Sequence, residues 1–441
     1  MSVRTDNSVL PEGWSNRTIQ ELGHIYSGST PSTEIGNYWD GDIVWITPND
    51  LSKLRTRFVN SSSRQITVLG LKNSSARLLP PRSLVISSRA PIGYMALPTT
   101  EFCTNQGCKT IVFNSDQDAD FHYYNLSFRV QTLREKGNGT TFAEISKTDL
   151  GQIEVPAPTN KNIQSAIASV LSTVDRAIEQ TEALIAKYQR IKTGLMQDLL
   201  TRGIDEQGNL RDPATHKFKD SPLGGIPVEW ELTTLGAVVE EAGGIIQTGP
   251  FGSQLHADEY IPEGVAFIMP RDIRDNGTLD LQGASKIPET RANDLKRHRI
   301  KPNDVIFGRR GDLSRCVAIC SEDGICGSGC LLVRVPETHL DGRWLSLIYK
   351  HVWSQRQIGA RAVGSTMVNL NTSLIASLLI AKPDIHEQRS IVRELDTVGK
   401  LYDLEAQSLH NLTKLKTGLM QDLLTGKVSV EPTANELRAK M

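Results

Sequence analysis

Lys192-Thr-Gly-Leu-Met-Gln-Asp-Leu-Leu-Thr201 is written twice in this chain: the same ten residues return at 416–425, 224 positions later. In a chain of 441 residues that period is about half the length. Solenoid units repeat every ~20–50 residues, so a spacing this long points to duplicated domains. Between the copies the two halves agree only in scattered positions. A chain built in this way should hold one kind of partner twice and read two different things.

Around the decapeptide, apolar residues fall at Ile167, Leu171, Val174, Ile178, Ile185, Tyr188, Leu195 and Leu199. Their steps of four and three follow a heptad seam, with Thr181 and Lys192 as polar interruptions. Ile391, Leu395, Val398, Tyr402, Leu409, Leu412, Leu419 and Leu423 repeat it, each 224 positions after its counterpart. Pro158 and Pro383 punctuate the starts, and Gly203 and Gly426 the ends. Each predicted helix has roughly 36–40 residues and a length of about 55–60 Å.

A seam on a lone helix would be exposed, so helix should bury helix within the chain. A two-fold axis perpendicular to the pair makes it antiparallel, the favoured arrangement. The segment between the halves spans ~80 Å when extended, which permits a parallel pair as well. A plainer alternative packs each helix on its own domain, and the unbroken heptad counts against it. Met196, Leu200, Met420 and Leu424 form a second apolar column beside the seam. It is read either as further internal packing or as a docking surface for two copies of one partner.

The first half opens with Leu10-Pro-Glu-Gly-Trp14 and the second with Ile226-Pro-Val-Glu-Trp230. Each leads into short β-like runs broken by Gly, Pro, Asn and Ser, at 43–46, 83–87 and 109–113, then at 265–269, 304–307 and 330–335. The predicted fold class is α+β: two mixed, mostly β domains joined by two long helices in an intramolecular antiparallel coiled coil, with pseudo-two-fold internal duplication. The expected boundaries are mixed domains at 1–158 and 226–383, helices at 159–203 and 384–426, a linker at 204–225 and a tail at 427–441.

Charge is balanced, 49 Lys+Arg against 50 Asp+Glu, which argues against a chain basic all over but not against a local basic patch. No apolar run approaches the ~18 residues of a membrane span, and the first residues lack a signal-peptide core. The expected location is cytoplasmic, with six reduced cysteines. Cys316, Cys320, Cys326 and Cys330 are spaced unlike the C-x2-C pairs of zinc sites, and small buried strand residues are the plainer reading. There is no phosphate loop and no G-x-G-x-x-G after a strand. The Asn/Asp-Pro-Pro-aromatic motif of amino-methyltransferases is also missing. Pro383-Asp384 with Glu387 reads as a helix start rather than a nuclease carboxylate pair. Neither a catalytic residue nor a metal site is expected.

The order Leu10-Pro-Glu-Gly-Trp14, variable domain, decapeptide, second variable domain, second decapeptide resembles the specificity subunit of type I restriction–modification systems. Arg89-Ala-Pro-Ile-Gly93 and Thr104-Asn-Gln-Gly107 also look like family patterns. The resemblance covers almost the whole chain. It implies two target-recognition domains, each reading one half of a split double-stranded DNA sequence, and a coiled coil that sets the gap. It further implies two modification (methyltransferase) subunits as partners, joined by restriction (endonuclease/translocase) subunits. S-adenosylmethionine, ATP and magnesium would serve those partners, and this chain would be non-catalytic.

Major-groove readout calls on Arg or Lys for guanine and Asn or Gln for adenine. Candidates in loops beside predicted strands are Ser29, Thr30, Arg89, Asn105, Gln106 and Lys109 in the first half. In the second they are Gln254, Arg271, Arg309, Arg310 and Arg315. Residues 291–315 form the most basic window, with eight Lys/Arg and three Asp. Taken alone, such a run is also what a solvated charged face looks like. The second half has Arg309-Arg-Gly-Asp-Leu313 where the first has Ser88-Arg-Ala-Pro-Ile92, so the halves should read different bases. The alternative is a coiled-coil adaptor whose variable domains bind proteins. A self-contained nuclease would need catalytic carboxylates that the sequence does not offer.

Overall fold

The computed structural model describes residues 10–89, 91–137, 144–250, 255–362 and 369–431. The chain is mixed α/β, with two long helices, Lys161–Thr201 of 41 residues and Ile385–Leu423 of 39. It divides into two compact units, Met1–Leu184 with Glu405–Met441, and Ile185–Leu404. The division falls inside both long helices, so each unit holds the start of one and the end of the other.

In the first unit, Gly23–Ser27, Cys108–Phe113, Leu84–Ser87, Met95–Pro98 and Phe58–Val59 lie side by side in a five-stranded sheet. Gln65–Ile66, Trp39–Ile46 and Phe102–Thr104 form a second sheet of three. Every residue of Leu84–Ser87 and of Met95–Pro98 is buried. Strands covered on both faces carry continuous apolar runs instead of alternation, which is how 83–87 reads in the sequence. Trp14–Thr18 pairs antiparallel with Glu154–Pro158 and so returns the chain to the start of the first long helix.

The second unit is built likewise. Ile245–Thr248, Cys330–Arg334, Val305–Gly308 and Cys316–Ala318 form one sheet; Ser285–Ile287, Val265–Ile268 and Ile325–Cys326 form another. Glu231–Thr234 pairs with Leu379–Lys382 before the second long helix. The turns that feed Leu84–Ser87 and Val305–Gly308 match in backbone too: Arg82 and Asn303 have φ of 64° and 72°. Asn tolerates this left-handed conformation, whereas Arg incurs roughly 1–2 kcal/mol. Arg82 offsets that cost with an ion pair to Asp120 and by lying over the Phe58 ring.

Both heptad seams are covered. Ile167, Leu171, Val174, Leu199, Ile391, Leu395 and Leu423 are buried, and Ile178, Ile185, Tyr188, Leu195, Val398, Tyr402, Leu409, Leu412 and Leu419 are half-buried. In the first unit, Ile167 and Leu171 share a cluster with Leu419, Leu423 and Leu424. In the second, Leu195, Leu199 and Leu200 share one with Ile391, Val392 and Leu395. The start of one long helix thus packs near the end of the other within each unit. Full burial of such a side chain stabilises the fold by about 1.5–3 kcal/mol.

Residues 204–225, expected as a linker, are anchored at several points although many are exposed. Phe218–Lys219 pairs with Ile226–Pro227, and the Arg211 side chain is 8% exposed against Glu387 at 7%. Glu387 accepts from both Arg211 Nη atoms, from Trp230 Nε1 at 3.1 Å and from the backbone of Ile204 at 2.9 Å. A buried carboxylate is tolerated because all its neighbours donate to it.

Three of the four clustered cysteines are buried and Cys320 is exposed. Burial pushes the Cys316 thiol up to about 11 and the Cys326 thiol up to about 12, away from the thiolate that metals bind. Cys330 Sγ donates to the carbonyl of Ile268 at 3.4 Å, and Cys108 Sγ points at that of Ile46 at 4.0 Å. Among the described residues no group of three or more His, Cys, Asp or Glu is arranged to hold a metal, and no helix is long and apolar enough to cross a membrane.

Candidate nucleic-acid interface

Each unit gathers four loops at one edge, and the same backbone bonds tie them. Asn105 N–H donates to Ile46 O at 3.0 Å, and Gly327 N–H to Ile268 O at 2.8 Å. Ser88 N–H donates to Gly107 O, and Arg309 N–H to Gly329 O, both at 2.8 Å. Gly28 N–H reaches Cys108 O at 3.2 Å, and Gly249 N–H reaches Cys330 O at 3.0 Å. A Cβ at Gly28 would overlap the carbonyl of Asn105, and one at Gly249 that of Gly327. Glycine is required there because two backbones touch.

A fourth loop completes each edge, a tight turn starting at Pro48 or Pro270. A Cβ on Gly107 would lie 3.0 Å from Pro48 Cγ, and one on Gly329 2.8 Å from Pro270 Cδ. Thr47 N–H donates to Asp50 Oδ2 at 2.9 Å, and Met269 N–H to Asp272 Oδ2 at 2.8 Å. Burial works against the charge on Asp50, but hydrogen bonds from Ser63 and Thr47 prevail and hold its pKa below the usual carboxylate value.

Five of the six first-half candidates lie on this edge with reachable side chains. Thr30 Oγ1 donates to Gln106 Oε1, and the Trp45 indole N–H holds the carbonyl of Ser29 at 3.0 Å. Asn105 Oδ1 accepts from Gly107 N–H at 3.0 Å, and Gln106 is exposed. Arg89 is 52% exposed and donates to Glu144 at 3.0 Å. Lys109 is a correction. It is only 6% exposed, with Nζ 3.4 Å from both Ser88 Oγ and Glu144 Oε1, and so braces the loops from beneath. Glu144, 35 positions from Lys109, is what a local reading of the sequence misses.

In the second unit, Arg271 is 70% exposed and donates to Ser285 Oγ at 2.9 Å. Arg310 is exposed, and Arg309 Nε is turned inward to the carbonyl of Leu370 at 2.9 Å. Arg315 is 30% exposed and pairs with Asp275 at 3.2 Å and Asp312 at 3.5 Å. Gln254 lies outside the described residues. The basic window is weaker than its composition promises, because Arg291 meets Glu259 and Asp294 while Arg299 meets Asp323 and Glu289. Acids far apart in sequence supply most of this neutralisation.

Of the two readings of the second apolar column, the structure takes internal packing. Leu200 and Leu424 are 0% exposed inside the two clusters, and Met196 and Met420 pack half-buried against them. The seam alone leaves that face uncovered, and the neighbouring domain covers it. The apolar residues left exposed beside the decapeptides are Ile191 at 40% and Leu415 at 51%, themselves 224 positions apart.

Two domains thus share one loop frame and carry different side chains at its tips. Residues 11–189 match the family model described as the type I restriction modification DNA specificity domain. It is 31% identical over 242 residues to the type I restriction enzyme MjaIX specificity subunit of Methanocaldococcus jannaschii, covering 54% of this chain and 55% of that one. The chain thus spans about half the length of that relative. With the MjaVIII specificity subunit of the same organism it shares 23% identity over 430 residues, 96% of this chain and 94% of that one. Its fold is that of the crystal structure of the type I restriction-modification system S subunit from M. genitalium, at TM-score 0.60 and 17% identity, covering 98% and 99% of the two chains.

Proposed function

We propose that this chain is the non-catalytic DNA-reading subunit of a type I restriction–modification complex. Each unit presents its loop edge to one half of a bipartite double-stranded DNA sequence. The observation that carries this reading is the pair of edges, with matching backbone bonds but Asn105-Gln106 at one and Gly327-Ser328 at the other. Phosphate contacts position a protein on DNA, and side chains at loop tips specify the bases. Arg89, Gln106, Arg271 and Arg310 are the side chains best exposed for that role.

The chain is in this reading an internal duplication whose long helices form an antiparallel coiled coil. The packing of each helix start near the other helix's end supports it. The coil fixes the gap between the half-sites: helices of 41 and 39 residues are about 60 Å long, more than one turn of B-DNA at ~34–36 Å. The partners are two modification (methyltransferase) subunits, joined by restriction subunits. S-adenosylmethionine, ATP and magnesium belong to those partners. Docking moves from the buried Leu200 and Leu424 to the exposed Ile191 and Leu415, one before each decapeptide.

The test is single-molecule methylome sequencing of cells with and without this gene. Loss of methylation at one split motif, two unlike halves with a fixed gap, is expected. A methylome unchanged by deletion, with protein partners recovered on the variable domains, would favour the adaptor reading.

A further inference from the structure

We infer that the residue between proline and aspartate in the Pro48-Asn49-Asp50 and Pro270-Arg271-Asp272 turns is a shared base-reading position, at which Asn49 selects adenine and Arg271 selects guanine. This rests on the reading of each edge as a DNA surface, and adds to it a named position and a code.

Three observations carry it. First, the turn is the same object twice. A strand ends at Ile46 or Ile268, a proline follows two residues on, and a buried aspartate accepts the backbone N–H before that proline. Asp50 and Asp272 are 7% and 4% exposed, so neither is free to contact a ligand, and each fixes the turn from inside. Second, the one residue that the frame leaves outside differs. Asn49 is exposed, and the Arg271 side chain is 70% exposed. Third, the turn abuts the tip loop of its own unit through Pro48 against Gly107, and Pro270 against Gly329. The carbonyl that holds that loop, Ile46 O or Ile268 O, ends the strand from which the turn springs. The position therefore lies beside Gln106 in one unit and Ser328 in the other.

The chemistry differs as the code requires. An asparagine amide pairs with the N6 and N7 edge of adenine, and a guanidinium fork with O6 and N7 of guanine. Arg271 donates one Nη to Ser285 Oγ at 2.9 Å and its Nε lies 3.6 Å from Asp272 Oδ1, which braces the fork while the side chain stays 70% exposed. Among the described residues the Asn49 side chain has no hydrogen-bond partner; its backbone carbonyl accepts from Ser52 Oγ at 2.9 Å. A strand-end frame that keeps two backbones in register, while one exposed side chain changes from amide to guanidinium, has no use in packing.

The test is the methylome of cells that carry the full complex with Asn49→Ala, Asn49→Arg or Arg271→Asn. Asn49→Ala is expected to relax one adenine position in one half-site, with discrimination there falling by roughly 5- to 150-fold. The other half and the gap stay as they were. Asn49→Arg is expected to turn that same position toward guanine, and Arg271→Asn to turn one guanine in the other half toward adenine. An Asn49→Ala methylome with every position as stringent as in the parent overturns the proposal and leaves the DNA reading standing. A parent complex with no gene-dependent split motif overturns the DNA reading itself. If Asn49→Arg abolishes methylation, Asn49→Ala decides, because truncation at an exposed turn position leaves the frame intact.

Discussion

Gln164 and Gln388, 224 positions apart, make the same two hydrogen bonds. Each side-chain carbonyl accepts the backbone N–H of a helix-capping aspartate, Asp118 at 2.8 Å and Asp341 at 2.9 Å. Each amide donates to the carbonyl of the proline before its helix, Pro158 at 2.8 Å and Pro383 at 2.9 Å. Both glutamines are fully buried. They bolt the long helices to the domains that carry the loop edges.

Gln388→Leu keeps the volume and strands one buried donor and one buried acceptor. Each orphaned group costs about 1–3 kcal/mol. For a unit of this size the midpoint should fall by about 2–4 °C per kcal/mol. Calorimetry checks this, and a variant that melts with the parent would show that the bolt carries no strength.

Arg211 and Glu387 offer a sharper contrast. Arg211→Met should destabilise the second unit by about 3–5 kcal/mol, because it leaves a buried carboxylate without its cation. The double variant Arg211→Met with Glu387→Met should recover part of that loss, less what it costs to leave the Trp230 indole N–H and the Ile204 N–H without an acceptor. Urea unfolding of Arg211→Met, Glu387→Met and the double variant measures the cycle. Equal losses in the single and double variants would mean that the ion pair is not what matters.

Acid should weaken the fold earlier than carboxylates alone would make it. Burial lowers His122 to about 3 and His351 to about 4. The unfolded chain takes up these protons near pH 6.5 and the folded chain does not. Stability from these groups is therefore complete above pH 6.5 and declines as pH falls toward 4 and 3, by about 1.4 kcal/mol per pH unit for each proton. His122→Leu should flatten the slope by one proton. Leu345 stands at the same place in the second unit, four residues after the capping aspartate. An unaltered slope would exonerate His122.

Ile191→Asp with Leu415→Asp should abolish co-purification of the methyltransferase subunits. The melting temperature should move by under 2 °C, since exposed apolar residues contribute little to the fold. Ile191→Asp alone should leave one subunit bound. Two subunits retained by the double variant would place docking elsewhere.

The long helices were legible because eight seam positions in each repeat one rule, and chance does not sustain a heptad that long. Most strand positions were legible to about a residue, as with 304–307 against Val305–Gly308, but 43–46 covers only the second half of Trp39–Ile46. Candidate loops were found because they join strands whose apolar runs are visible. What the side chains in them do was hidden. Lys109 and Arg315 look like free cations until Glu144 and Asp275 arrive from distant positions. Leu200 and Leu424 look exposed because a heptad describes one neighbour, and the domain that covers them has no local signature. Asn49 was missed although 46–50 and 268–272 align as Ile-Thr-Pro-Asn-Asp and Ile-Met-Pro-Arg-Asp. Pattern matching attends to residues that agree, and this position matters because it does not.

The two compact units differ in one respect that bears on synthesis. The second is a continuous stretch, whereas the first needs residues from both ends of the chain. On the ribosome, Ile167 and Leu171 emerge long before Leu423 and Leu424, which share their cluster. At about 5–20 residues per second, the roughly 240 residues after Leu184 take about 12–48 s to make. The second unit gains all its own residues within that interval, while the first waits with an apolar stripe uncovered. The nascent chain therefore closes like a parenthesis, its earliest part completed last, and chaperones have that interval in which to act.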